Sequence, residues 1–311
     1  MKKLISIISV LIFTVTISAQ QKGNDPVNTE QDSFQNPSNY SIAREPEVSK
    51  EAEELNNKGI EQSSKERNFT VAAEFFSKAI ESDSRCYQCQ YNLGMALFNT
   101  QKYDEAIEVF TDLISTKPDY ANAFGGLGEA YDKKGLFKES LQVYRKAVEL
   151  APNDPILLIN IGNALNKEKK YEEALVYLNK AVKLNKQIAN IFSNRAVALF
   201  SLGRLDEAVA DFKKAVLLNP NSANNHNNLG VVLEAIGKEE ESRLHYSEAL
   251  RLRPDWSIAL YNLAVSYFKS GNQAEARRQI FALERIDPVL AEKARKTVFG
   301  KYIVNASDVK N

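Results

Sequence analysis

Two cysteines and two histidines are the residues of this sequence best suited to chemistry. Cys86 and Cys89 stand in the order Cys-Tyr-Gln-Cys at the start of a predicted helix. In an exported protein this spacing closes a small disulfide or presents a thiolate that the helix N-terminus stabilises. Haem attachment needs a histidine directly after the second cysteine, and Gln90 stands there. A structural disulfide is the preferred interpretation, with a redox-active pair or two reduced thiols as the alternatives.

The histidines, His226 and His245, fall on neighbouring predicted helices at positions typical of structural or surface roles. A zinc site would need further ligands, and no other Cys or His stands near the cysteines. The sequence has no glycine-rich phosphate loop and no nucleophile elbow. We therefore predict no catalytic residues, no metal and no cofactor, so the protein is not expected to be an enzyme.

Charge composition limits the partners. In 311 residues, 40 Lys and Arg balance 40 Asp and Glu, which gives a formal net charge of zero at pH 7. This balance removes any global electrostatic argument for nucleic acid or an anionic membrane as the partner. A protein or peptide ligand is expected instead.

Residues 1–19 have the order of a secretory signal peptide: two lysines, an apolar run from Leu4 to Ile17, and Ala19 ahead of Gln20. An uncleaved anchor is the alternative, although the run is shorter than the roughly 20 residues that span a membrane. After cleavage no membrane span is expected, and the periplasm is the preferred location, followed by the cell exterior. Residues 20–48 are rich in Gln, Asn, Ser and Pro and are predicted to be a disordered linker.

The rest of the chain repeats with a period of 34 residues. Three series keep this step: Gly94, Gly128, Gly162, Ala196, Gly230 and Ala264; Ala106, Ser140, Ala174, Ala208, Ser242 and Ala276; and Pro118, Pro152, Lys186, Pro220, Pro254 and Pro288. The first two series fit pairs of antiparallel helices that cross closely at small residues. The prolines stand just beyond the second helix of each pair, which they cannot continue.

Tyr91-Asn92-Leu93-Gly94, followed by Ala106 and Phe110 and closed by Pro118, resembles the tetratricopeptide repeat family. The resemblance implies an all-α, right-handed superhelical solenoid of about seven helix pairs with a C-terminal capping helix, spanning residues 49–299. A degenerate copy at 52–86, with one residue inserted near Asn68, precedes regular copies at 87–120, 121–154, 155–188, 189–222, 223–256 and 257–290. A capping helix at 290–299 and a flexible tail at 300–311 complete the predicted organisation.

The resemblance also implies that first helices line a concave groove. At the sixth position of the repeat, five of six copies carry an amide: Asn92, Asn160, Asn194, Asn228 and Asn262, with Gly126 in the remaining copy. Such a row can bind the main chain of an extended peptide, as in the similar repeat half of the O-linked N-acetylglucosamine transferases, whose catalytic half nothing here resembles. Local hydrogen bonding is the alternative role.

Two apolar patches flank this predicted groove: Tyr91, Met95 and Phe98 in the second copy, and Tyr261, Val265 and Phe268 in the seventh. Burial by neighbouring copies is the alternative explanation. A polar stretch lies between them, comprising Asn122, Glu129, Asp132, Asn163, Asn166 and Lys167. Gly125 and Gly126 interrupt one first helix, where close approach of a ligand, a flexible joint or plain tolerance would explain them.

These observations predict an exported scaffold or adaptor that binds extended peptides or partner proteins in its groove. Two other classes stay open. One is a thiol-disulfide redox protein that uses Cys86 and Cys89, and the other is a structural envelope component that associates with itself as a homo-oligomer.

Overall fold

The computed structural model describes residues 47–299, and within this range the chain forms fifteen helices and no strand. The all-α, helix-pair repeat fold is confirmed. The predicted signal peptide, almost all of the predicted linker and the predicted tail lie outside the described residues. None of the fifteen helices is long and apolar enough to cross a membrane.

The chain divides into two compact units at the bond between Asn185 and Lys186. This is the point in the proline series where lysine replaces proline. The described part of the N-terminal unit contains eight helices: α1 (Lys50–Ser64), α2 (Phe69–Ser82), α3 (Tyr87–Asn99), α4 (Tyr103–Thr116), α5 (Ala121–Lys133), α6 (Phe137–Leu150), α7 (Pro155–Lys167) and α8 (Tyr171–Leu184).

The described part of the C-terminal unit contains seven helices: α9 (Ala189–Ser201), α10 (Leu205–Leu218), α11 (Ala223–Ala235), α12 (Glu239–Leu252), α13 (Ser257–Lys269), α14 (Gln273–Glu284) and α15 (Pro288–Phe299). The last of these begins two residues before the predicted capping helix. It packs against both α13 and α14 and buries Ala291, Ala294 and Val298.

The small residues of the first series explain why each pair packs closely. A Cβ atom built on Gly94 would lie 2.5 Å from the ring of Phe110, which is fully buried on the partner helix. Gly128 stands in the same relation to Tyr144. A larger residue at the eighth position of these copies would therefore push the two helices apart.

The turns between paired helices depend on one left-handed residue. Gly135, Gly203, Gly237 and Gly271 have φ between 76° and 81°, a conformation that glycine adopts without steric cost. In the degenerate copy the turn covers residues 65–68, one residue more than the turn at 100–102 between α3 and α4. The longer turn ends at Asn68, near which the sequence predicts an inserted residue.

Candidate binding face of the first helices

Within each unit, most first helices pack beside the first helix of the next pair. In the N-terminal unit α1 contacts α3, α3 contacts α5 and α5 contacts α7. In the C-terminal unit α11 contacts α13, and α13 contacts α15. We call the surface that these helices form in each unit its first-helix face. Side chains at equivalent repeat positions therefore become neighbours there, although they are about 34 residues apart in sequence.

The predicted asparagine row is largely buried and bonded between these helices. Asn92 on α3 donates from Nδ2 to Asn56 Oδ1 on α1 at 3.0 Å. Asn160 on α7 donates to Glu129 Oε1 on α5 at 2.8 Å. Asn262 on α13 donates to Asn227 Oδ1 on α11 at 3.0 Å. These bonds link successive repeats, which is the local role that the sequence left open.

The remaining members of the row, Asn194 and Asn228, lie in the C-terminal unit, as does Asn262. Asn228 is buried and Asn194 is half-buried. Among residues 47–299, no donor lies within bonding distance of the buried Oδ1 atom of Asn262. The amide donors of Asn92, Asn160 and Asn262 already have partners inside the protein. Binding of a peptide main chain by this row stays a prediction.

The apolar patch predicted in the second copy belongs to the core of the N-terminal unit. Met95 is buried in a cluster with Phe110 and Leu127, against which Tyr91 and Phe98 pack while half-buried. The ring of Tyr91 lies 6.0 Å from that of Phe110. These contacts hold α3 against α4 and α5, as the alternative explanation predicts.

One residue of the patch predicted in the seventh copy, Tyr261, contacts the capping helix. Tyr261 and Val265 are buried, and Phe268 is half-buried. The hydroxyl of Tyr261 is 3.4 Å from Thr297 Oγ1, and Lys293 Nζ lies 5.9 Å from the centre of the tyrosine ring. Helix α15 therefore contacts Tyr261, and a ligand role for this patch stays a prediction.

Packing explains the two consecutive glycines of α5. A Cβ atom on Gly125 would lie 2.7 Å from Leu157 Cδ2, and one on Gly126 would lie 2.5 Å from Phe110 Cζ. The neighbouring repeats on either side thus fill the space that these residues leave. Close packing between repeats accounts for both glycines without a ligand.

Charged residues at the ends of the first helices form bonds that the repeat pattern alone did not reveal. Lys167 Nζ lies 2.5 Å from Asp132 Oδ2, which links α7 to α5. Lys269 pairs with Glu234 in the same way and links α13 to α11. Both pairs are separated by 35 residues, so pairing the thirteenth position of one copy with the twelfth of the preceding copy would have found them.

Glu129 is a half-buried carboxyl group on the N-terminal first-helix face. Burial raises its pKa to about 7, with Asp132 adding to the increase and the bond from Asn160 opposing it. Asn122 and Asn163 lie half-buried on the same helices as Glu129 and Asn160. Polar side chains with unused bonding capacity can recognise a polypeptide main chain.

The two cysteines form a disulfide at the start of α3, with Cα atoms 5.2 Å apart. Cys86 is 4% exposed and Cys89 is fully buried, in a cluster with Ala52 and Ala79 of the first repeat. Burial keeps both sulfur atoms from an attacking thiolate, whereas a redox-active pair needs one accessible sulfur. The structure therefore favours the structural disulfide over the redox-active pair.

Reduction of the disulfide is expected to be resisted in the folded protein. In glutathione buffers poised near about −250 mV, mass spectrometry after alkylation should find Cys86 and Cys89 still joined. The same buffers should reduce the pair more readily once the chain is unfolded in urea. A folded protein that is mostly reduced under these conditions would favour the redox function instead.

The two histidines contact each other between α11 and α12. His226 Nε2 lies 3.0 Å from the carbonyl oxygen of Pro220, and the two Nδ1 atoms are 3.1 Å apart. Burial lowers the pKa of His245, and His226 lowers it further. No group of three or more His, Cys, Asp or Glu suited to a metal occurs in the described part of the chain. The contact between the two rings links α11 to α12.

Stacked helix pairs whose first helices contact one another define a helical repeat scaffold. The tetratricopeptide repeat profile matches residues 64–120, 91–155 and 227–291, which together cover just over half of the chain. Two further profiles of the same repeat match residues 198–237 and 155–187. The chain belongs to the tetratricopeptide repeat family.

Solved structures show the same fold at low sequence identity. A tetratricopeptide repeat protein from Parabacteroides merdae matches with a TM-score of 0.61 and 15% identity over 81% of this chain and all of its own. The type IV pilus biogenesis factor PilW matches with a TM-score of 0.62 and 16% identity over 67% of this chain and 97% of its own.

A chain of the APC/C hetero-tetramer Cut9–Hcn1 matches with a TM-score of 0.68 and 16% identity over 79% of this chain. This protein spans about half of that chain, 48% of its length. A comparison with curated protein sequences found no match. Because the chain belongs to the tetratricopeptide repeat family, its repeat array is a scaffold for protein–protein interaction, and the fold is typically non-catalytic.

Proposed function

We propose that the protein is an exported scaffold that binds an extended peptide, or a segment of a partner protein, on the first-helix faces of its units. The observation that carries the proposal is the side-by-side packing of first helices, which brings equivalent positions of successive repeats together. A partner segment that crosses these helices meets a new set of side chains at each repeat. Such a surface suits an extended polypeptide better than a small molecule.

The N-terminal unit supplies the polar groups for this contact. Asn122 on α5 and Asn163 on α7 are half-buried and offer side-chain donors and acceptors. Glu129 lies between them in sequence and accepts a bond from Asn160. These side chains complement a peptide backbone, whose amide and carbonyl groups need partners when they leave water.

Blocking this face is expected to weaken partner binding strongly. Arginine in place of Asn163 or Asn122 adds a long charged side chain at a half-buried position and leaves the core intact. Partners captured by the full chain should fall at least about tenfold in either variant, which corresponds to a loss of ~1.4 kcal/mol. The measurement is quantitative mass spectrometry of pull-downs from the native host.

The matched control is Gln142→Arg, which places the same side chain at an exposed position on second helix α6. Circular dichroism should show all three variants folded. Equal capture by Asn163→Arg, Asn122→Arg and the control would refute binding on the first-helix face. Loss of capture in the control alone would place the binding surface on the second helices.

Export forms the second part of the proposal and rests on the predicted signal peptide. The mature chain isolated from cells is expected to begin at Gln20 and to be found in the periplasmic fraction. Cell fractionation followed by N-terminal mass spectrometry measures both properties. A chain that begins at Met1 and remains in the cytosol would refute export without affecting the scaffold function.

A further inference from the structure

The carboxyl group of Glu129 lies half-buried on the N-terminal first-helix face and forms no ion pair with another described residue. Its Oε1 atom accepts a hydrogen bond from Asn160, which is neutral. The neighbouring cation, Lys167, lies 2.5 Å from Asp132 instead. None of the residues from 47 to 299 places a cationic nitrogen within ion-pair distance of Glu129. The ionised form of Glu129 is therefore stabilised by a neutral hydrogen-bond donor and, at longer range, by Lys133 and Lys167.

The surroundings of Glu129 disfavour a lone negative charge. Burial is the largest cause of its raised pKa, and Asp132 contributes in the same direction. Lys133 on α5 and Lys167 on α7 lower this pKa, but by less than burial raises it. Glu129 in turn raises the pKa of Tyr91 on α3 and of Tyr144 on α6. A cation that arrives with a ligand would relieve this cost, because it stabilises the ionised form.

Tyr91 on α3 and Gly125 on α5 belong to the helices around this carboxyl group. Burial raises the pKa of the Tyr91 hydroxyl, and the negative charge of Glu129 raises it further. Gly125 stands one helical turn before Glu129, and Leu157 packs against it. A basic side chain of a partner, whose apolar stem ends in a charge, would bring a cation to this half-buried carboxylate.

We propose that Glu129 binds an arginine or lysine side chain of the partner segment, a proposal that rests on the function proposed above. The partner class is therefore a polypeptide with a basic residue that pairs with this carboxylate. Glu129 has a neutral hydrogen-bond donor, while the nearby Lys167 pairs with Asp132, and this arrangement supports the assignment by charge complementarity.

Two synthetic peptide pools test the assignment. Each peptide has three randomised uncharged residues on both sides of a fixed central residue and carries blocked termini. The central residue is arginine in one pool and citrulline, its neutral isostere, in the other. The immobilised full chain at pH 8.5 should retain about tenfold more arginine pool than citrulline pool, as expected for one charge-assisted bond.

Charge removal and acid should both abolish this preference. Glu129→Gln keeps an acceptor for Asn160 and is expected to fold, which circular dichroism checks; its arginine-to-citrulline ratio should fall to about one. Glu139→Gln, at an exposed position on α6, should keep the wild-type ratio. At pH 5.5 the wild-type ratio should also approach one, because Glu129, with its pKa near 7, is then protonated.

Each alternative outcome separates the inference from the proposed function. Retention of both pools in equal amounts by the wild type at pH 8.5 overturns the Glu129 assignment and leaves peptide binding standing. An arginine preference that persists in Glu129→Gln overturns it as well. If the wild type retains no more of either pool than the Asn163→Arg variant does, both proposals are overturned.

Discussion

Replacing Gly126 with asparagine, the residue that five other copies carry at this position, is expected to destabilise the N-terminal unit by about 3 kcal/mol. A Cβ atom at Gly126 would lie 2.5 Å from Phe110 Cζ. The same ring packs equally closely against Gly94 and is fully buried, so it has no space into which to move. Restoring the repeat pattern here would thus overpack the core.

Urea unfolding measures this loss, and the single tryptophan separates the two units. Trp256 lies in the C-terminal unit, so its fluorescence follows that unit, whereas far-UV circular dichroism follows both. We expect Gly126→Asn to shift the dichroism transition more than the fluorescence transition. In a Phe110→Leu background the loss should be smaller, because the ring that causes the overlap is absent. A change below about 0.5 kcal/mol in the wild-type background would contradict the packing described for Gly126.

Replacing Lys269 with methionine is expected to destabilise the C-terminal unit by about 3 kcal/mol. The Glu234 side chain, which pairs with Lys269, is only 5% exposed. Its other oxygen accepts a hydrogen bond from the hydroxyl of Tyr246 at 3.0 Å. Methionine keeps most of the apolar stem but leaves the buried carboxylate without its cation, which is the costly part of the change.

Trp256 fluorescence in urea reports this loss directly. The double variant Lys269→Met with Glu234→Leu should recover much of the stability, because no buried charge then remains unpaired. The matched control is Lys102→Met, which removes the cation of an exposed pair with Glu105 and should change stability by less than about 0.5 kcal/mol. Equal effects of Lys269→Met and Lys102→Met would show that burial of Glu234 adds nothing to the pair.

The helix pairs could be predicted from the sequence because their determinants are local and repeated. Gly94 and Ala106 mark a helix crossing, and Gly135 marks the turn that needs a left-handed residue. The all-α repeat fold follows from these spacings, as does the longer turn of the first copy. The disulfide could also be predicted, because Cys86 and Cys89 are the only two cysteines of the sequence.

Burial on the first-helix face could be proposed from the sequence only as an alternative, because it depends on side chains from neighbouring repeats. Met95 occupies a position that the resemblance assigns to a groove, yet it is buried against Phe110 and Leu127. Asn92 bonds to Asn56 of the degenerate copy, where the pattern gave no reason to expect an amide partner. Comparing the same position in all copies shows which residue types occur there. It does not show which residue of the next copy packs against that position.

The central claim is that the first-helix face contacts a partner polypeptide, and site-specific photocrosslinking in the native host tests it most directly. A photoreactive phenylalanine analogue at Asn163 of α7 reports on the first-helix face, and the same analogue at Gln142 of α6 reports on the second helices. We predict that illumination joins a second polypeptide to the chain from position 163 and not from position 142. Crosslinks of equal yield from both positions, or from position 142 alone, would contradict the account.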